Sequence, residues 1–136
     1  MTLKDEDRIL LIKYRLEQAD EAINDVQLLI DNNRFRSAIN RIYYGMFYSL
    51  LALAIANKYE TSKHAQIIGW FNKNFIHEGK FEERFGKIIN KAFNKRTKSD
   101  YDTFVVIDKE TILEMFGEMK EFIMEIKNFL SFSQII

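Results

Sequence analysis

Residues 34–58 read RFRSAINRIYYGMFYSLLALAIANK, and this stretch decides the fold. Ile39, Tyr43, Met46, Leu50 and Leu53 recur at alternating steps of four and three, the period of one buried helical stripe. Ile42, Phe47, Leu51 and Ile55 make the remaining faces apolar too. A helix that is hydrophobic nearly all round sits at the centre of a fold, covered on several sides. Gly45, Ser49, Ala52 and Ala56 add a row of small residues along which a neighbouring helix can come close.

Working outward, Ile9, Ile12, Leu16, Ala19, Ile23, Val26 and Ile30 form a single stripe of a preceding amphipathic helix. Asp31-Asn32-Asn33 is its stop and the next helix's start, because Asn tolerates the left-handed conformation and also caps helices. Downstream, Thr61-Ser62 offers an N-cap for a third helix carrying Ile67, Ile68, Phe71 and Phe75, which ends near His77-Glu78-Gly79. A fourth helix carries Phe81, Phe85, Ile88 and Ala92. From Thr97 to Ile107 the helical period is lost: SDYDTF is turn-like and Val105-Val106-Ile107 is β-branched. Asp108 then caps a last helix with Ile112, Phe116, Met119, Ile123, Ile126 and Leu130, and the tail SFSQII has no strong period.

With no proline and 5 glycines, helices can run long. The expected fold is all-α, an up-and-down helical bundle of four to five helices, with residues 1–136 as a single domain. The 12 Phe and 6 Tyr exceed what a small core needs, so some apolar surface is expected between chains, most simply in a symmetric homodimer.

Composition narrows the chemistry. Hydrophobic residues at 47% and charged ones at 29% describe a globular chain. A formal net charge of +0 gives no global pull toward nucleic acid or an acidic membrane. The absence of cysteine excludes disulfides, a thiolate nucleophile and Cys-ligated metals, leaving His64 and His77 for imidazole chemistry. No apolar run approaches the roughly 18 residues of a membrane span, and the charged N-terminus MTLKDEDR lacks a signal peptide's apolar stretch. The expectation is a cytoplasmic protein with no membrane association. Nor is a cofactor or metal expected: there is no glycine-rich phosphate loop, and Asp100 with Asp102 lacks a recognisable third ligand.

Charge is nonetheless segregated. Arg84, Lys87, Lys91, Lys95 and Lys98 share one helical face, while Glu110, Glu114, Glu118, Glu121 and Glu125 crowd the last helix. These are either two facing helices that attract each other or a basic strip that holds phosphates. Two clusters concentrate the chemistry. Arg41, in Asn40-Arg41-Ile42-Tyr43-Tyr44, lies on an otherwise apolar helix, so it needs either a salt-bridge partner or a ligand. Arg96, in Asn94-Lys95-Arg96-Thr97-Lys98-Ser99-Asp100-Tyr101, presents a planar fork suited to phosphate or carboxylate, or simply complements a helix C-terminus. His64 falls in the first turn of its helix, where the positive end lowers its proton affinity.

At these clusters the chain resembles the HEPN domain family (higher eukaryotes and prokaryotes nucleotide-binding), from about Leu11 to Leu130. Residues 37–48 are similar to the family's A-x-x-R-x-Y-Y-x-x-F signature, at Ala38, Arg41, Tyr43, Tyr44 and Phe47. Lys63-His64 and an R-x-x-x-D-Y element at Arg96, Asp100 and Tyr101 match its later landmarks. The resemblance implies a dimerising bundle of four to five helices, often encoded beside a small nucleotidyltransferase in toxin–antitoxin or defence modules. Active members of the superfamily are metal-independent RNases with R-x(4-6)-H, the histidine moving a proton and the arginine stabilising charge on phosphorus.

Here the positions following Arg96 hold Asp100, Tyr101, Asp102 and Thr103, and the motif histidine is missing. The expected function is therefore a weakly catalytic or non-catalytic nucleotide- and RNA-binding module acting with a nucleotidyltransferase partner. Arg41, Tyr44, His64, Lys95, Arg96 and Lys98 are its binding residues, with Arg96 in an open hollow that holds no neutralising acid. The alternatives are an endoribonuclease toxin using Arg96, Asp100 and Tyr101, with His64 brought near by folding, and a purely structural helical interaction protein.

Overall fold

The computed structural model describes residues 4–102 and 106–132. Five α-helices follow in order: α1 Asp5–Asp31, α2 Phe35–Ala56, α3 His64–Phe71, α4 Glu83–Tyr101 and α5 Lys109–Phe132. A π-helical turn, Asn72–Ile76, continues α3, and no strand occurs among the described residues. The all-α bundle expected from periodicity is the observed architecture.

α2 is the central helix. Ile39, Ile42, Tyr43, Met46, Leu50 and Leu53 are buried, with α1, α3, α4 and α5 all packed against it. Gly45 is where α1 and α5 come closest: a Cβ there would overlap the Met119 methyl and meet Ala22 Cβ at 3.0 Å. By length and composition alone, Phe35–Ala56 is apolar enough to cross a membrane, at a mean hydropathy of 1.2, contrary to the expectation that no run approaches this. Its apolar faces are instead largely covered by the protein's other helices, 67% of the window being buried.

Three local expectations change. Ile9 is exposed, so the buried stripe of α1 begins at Ile12. α3 starts at His64 with Lys63 as its N-cap, and Thr61 Oγ1 accepts a hydrogen bond from the Lys63 amide instead of capping the helix. α4 keeps its helical form through Tyr101, beyond the loss of period at Thr97. Thr97 and Ser99 are poor helix formers by propensity, but tertiary contacts override it. Thr97 Oγ1 donates to the Phe93 carbonyl at 2.9 Å, and buried Ser99 is held by the Arg36 guanidinium through its carbonyl and hydroxyl oxygens. Of the β-branched run, Val105 lies outside the described residues and Val106 is exposed. The last helix is capped as expected, the Thr111 amide donating to Asp108 Oδ1 at 2.7 Å. α5 runs into the tail as far as Phe132, and residues 133–136 lie outside the described residues.

The aromatic surplus goes largely into the chain's own core. Phe71, Phe75, Phe81, Phe85 and Phe122 are buried in edge-to-face and stacked contacts, with Phe129 packed against them. The large exposed hydrophobics among the described residues include no phenylalanine. The charge strips behave as facing helices: Arg84 pairs with Glu121 at 2.5 Å and Lys91 with Glu118 at 2.7 Å. Lys87, Lys95 and Lys98 stay exposed.

Candidate phosphate site at the meeting of α2, α3 and α4

Three helices bring their chemistry to one place. α2 supplies Arg41, Tyr43, Tyr44 and Phe47 at helical spacing; α4 supplies Phe93 and Arg96; α3 supplies His64. The Arg96 guanidinium carbon lies 5.0 Å from the Tyr43 ring centre, 5.4 Å from Tyr44 and 5.9 Å from Phe93. Such placement over aromatic faces stabilises a cation by about 0.5–2 kcal/mol per favourable contact, more as water is excluded. Arg41 reaches the same Tyr44 ring, its guanidinium carbon 5.3 Å from the centre. Two like charges therefore converge on one tyrosine.

The open hollow expected around Arg96 is not what the structure has. Arg96 Nη1 donates to Asp100 Oδ2 at 3.1 Å, one turn along the same helix, so a carboxylate of the chain already engages it. Asp100 accepts from one of the group's five N–H donors, and the Tyr43 hydroxyl is a second polar neighbour of the guanidinium. The Arg96 Nε is buried with no hydrogen-bond partner. Burial acts to lower the proton affinity of this guanidinium, but the Asp100 hydrogen bond and the neighbouring tyrosines hold it above its ordinary value. Asp100 is committed as that bond's acceptor. Arg41 differs: among the described residues no carboxylate pairs with it, and the aromatic ring of Tyr44 takes the place of the salt-bridge partner that burial requires.

Tyr43 and His64 form the floor. The Tyr43 side chain is fully buried, and its hydroxyl lies 2.7 Å from His64 Nδ1. Burial raises the Tyr43 pKa well above the phenol range, against the lowering pull of Arg96, so the hydroxyl keeps its proton. The cation on one side orients that O–H toward Nδ1, which makes the imidazole the acceptor there and leaves Nε2 carrying the proton. The His64 pKa is pushed below its ordinary 6.5 by burial and then by the Arg96 charge, so the ring is neutral near pH 7. It stacks on Phe47 at 3.9 Å with the rings 10° from parallel. The lowered proton affinity expected of His64 is present, and its causes are burial and Arg96.

The other residues singled out from sequence lie apart. Tyr101 ends α4 with 85% of its surface exposed and has no ring contact with the cluster. Lys95 and Lys98 are exposed on α4, Lys95 close enough to Asp108 to favour its charged form. Among the described residues no three carboxylate or imidazole groups gather as a metal site would require. Sequence reading placed Tyr43 in the core stripe and in the family signature but gave it no role at the site; its hydroxyl lies between Arg96 and His64. Phe47, read as an apolar and signature position, and Phe93 were given no role at the site, although their spacing from Tyr43 and Arg96 along α2 and α4 carried the signal.

Comparison with known proteins fits this geometry. Residues 12–129 match the model of the family described as "HEPN domain". The chain is 34% identical over 113 residues to a "UPF0332 protein" of Thermotoga maritima, covering 83% of this chain and 86% of the relative. Methanocaldococcus jannaschii has two relatives, "Putative toxin MJ0605" and "Putative toxin MJ0142". The first is 38% identical over 92 residues, covering 68% of this chain and 69% of its own, and the second is 27% identical over 135 residues, covering 95% and 92%. With its signature residues gathered around Tyr43 and Tyr44, and the family match spanning most of its length, the chain belongs to the HEPN domain family.

Proposed function

We propose that this protein is a toxin-associated HEPN module that binds the phosphate backbone of RNA, or a nucleotide, without cleaving it. The observation that carries this reading is the convergence of Arg41 and Arg96 on the Tyr44 ring, 5.3 and 5.4 Å from its centre, with Asp100 pairing one of the two charges. A phosphate supplies the missing negative charge, and Arg recognises it with parallel N–H donors. His64 adds a neutral Nε2–H donor at the same ring cluster. Because Nδ1 is occupied by Tyr43 and the ring is neutral, His64 is poorly placed either to take or to give the proton that RNA cleavage needs. The names of the two archaeal relatives support the toxin association.

In this reading the protein works in the cytoplasm as a homodimer beside a nucleotidyltransferase partner, and the exposed hydroxyl of Tyr101 is accessible to such an enzyme. The test is incubation of the purified protein with a labelled, unstructured oligoribonucleotide in EDTA. Fluorescence anisotropy should rise while the RNA stays intact on a gel. Cleavage products that disappear with Arg96→Ala would replace this reading with the endoribonuclease, and no anisotropy change would leave only the helical interaction protein.

A further inference from the structure

A concave region lined by α1, the end of α2 and the turn after it shares no residue with the Tyr44 cluster. Between the start of α1 and the end of α2 the structure has a cleft of about 900 Å³. This is within the size of small-molecule sites, roughly 300–1,000 Å³. Its walls combine two chemistries. Leu11, Leu51 and Ile55 give an apolar floor, and Tyr59 stacks on Trp70 with ring centres 4.9 Å apart and planes 6° from parallel. Above that floor stand three cations, Arg8, Arg15 and Lys58, against one wall carboxylate, Glu60.

The cations are not equally engaged. Arg8 pairs with Asp5 at 2.8 Å. Arg15 donates from Nη1 to the neutral amide oxygen of Gln18 at 2.8 Å and lies 5.7 Å from the Tyr14 ring centre, and its Nε is buried with no hydrogen-bond partner among the described residues. Among the described residues neither Arg15 nor Lys58 has a carboxylate partner. A half-buried guanidinium with unmet donors, beside an apolar wall, is costly unless an anion completes it. Lys58 holds φ +59°, the left-handed residue that closes the end of α2 with the Tyr59 amide donating to the Ala54 carbonyl, and this turn carries Tyr59 and Thr61 along the cleft wall.

We propose that this cleft binds a small amphipathic anion: a phosphate or carboxylate on an apolar or aromatic body, with Arg15 gripping the oxyanion and Leu11, Leu51 and Ile55 receiving the body. The inference is independent of the phosphate site at Tyr44 and stands or falls separately.

Trp70 is the chain's only tryptophan, and its stacking on Tyr59 makes its emission a reporter for the cleft. The full chain is titrated with phenyl phosphate, benzoate and inorganic phosphate, following Trp70 fluorescence and heat. Phenyl phosphate or benzoate should saturate the signal and bind about tenfold or more tighter than inorganic phosphate, because only the organic anions use both walls. The tighter of the two assigns the anion as phosphate or carboxylate. Arg15→Gln should weaken the binding reported by Trp70 about tenfold, the loss of one charge-assisted contact, while Lys87→Gln, at an exposed position outside both sites, leaves it unchanged. Leu11→Glu, which places the chain's own carboxylate at the wall, should abolish it and guards against a misfolded Arg15 variant. Absence of saturation by either organic anion, or wild-type affinity in both Arg15→Gln and Leu11→Glu, overturns the proposal.

Discussion

The Tyr43 hydroxyl lies 2.7 Å from Nδ1 of His64, joining the core helix to the first residue of α3. Tyr43 has no surface exposed, and its ring also lies beneath the Arg96 guanidinium. One buried phenol thus fixes the imidazole's tautomer and the seat of the cation, so the site inherits the rigidity of the bundle.

Removing that hydroxyl tests the link. Tyr43→Phe leaves a partly buried nitrogen without its donor and should destabilise the fold by about 1–3 kcal/mol. It should also move the His64 ring nitrogens in ¹⁵N NMR from a single Nε2–H form to a tautomer mixture. Unchanged ring-nitrogen shifts would mean that Tyr43 does not set the tautomer.

Stability should fall on acidification through His64. Its folded pKa lies below the unfolded value of 6.5, so the unfolded chain binds the proton more readily. The contribution is fully present above pH 6.5 and is lost progressively as the pH drops below it. Urea unfolding followed from pH 7.5 to 5 should show a declining free energy. His64→Gln should flatten that decline.

Glycines on one bundle should respond in opposite directions. Gly45→Val must displace Met119 and Ala22 and should cost about 1–3 kcal/mol, the range for overpacking a core. Gly69, inside α3, has open space where a Cβ would stand, so Gly69→Ala should add about 0.5–1 kcal/mol from helix propensity. Thermal unfolding of both variants gives the signs directly.

Lys58 offers a further stability test. It follows the end of α2 at φ +59°, where glycine is the ordinary residue. Lys58→Gly should raise stability by about 1 kcal/mol. A loss instead would show that the lysine side chain is held by contacts that offset its backbone strain.

What could be read from sequence follows from what each residue depends on. The five helices were legible because their periodicity is local, and Asp108 could be recognised as a cap because the cap bond spans only three residues. The end of α4 was not legible: Ser99 is kept helical by Arg36, 63 positions away. The convergence of Arg41 and Tyr44 was open to inference, since they are three apart on α2. Their meeting with Arg96 and His64 depends on how three helices cross, which no spacing within one helix encodes. The pairing of Arg96 with Asp100 was foreseeable at i, i+4, yet the same two residues were read as separate parts of a motif.

The most direct test of the central claim is calorimetric titration of a short unstructured oligoribonucleotide into wild-type protein, Arg41→Gln, Arg96→Gln and His64→Gln. Among the described residues Arg41 has no carboxylate partner and should carry the larger share: Arg41→Gln is expected to weaken binding by about 1.5–3 kcal/mol, the range for hydrogen bonds to a charged group. Arg96→Gln and His64→Gln should each weaken it by a smaller, measurable amount. Wild-type affinity in all three variants would contradict a phosphate site at the Tyr44 cluster.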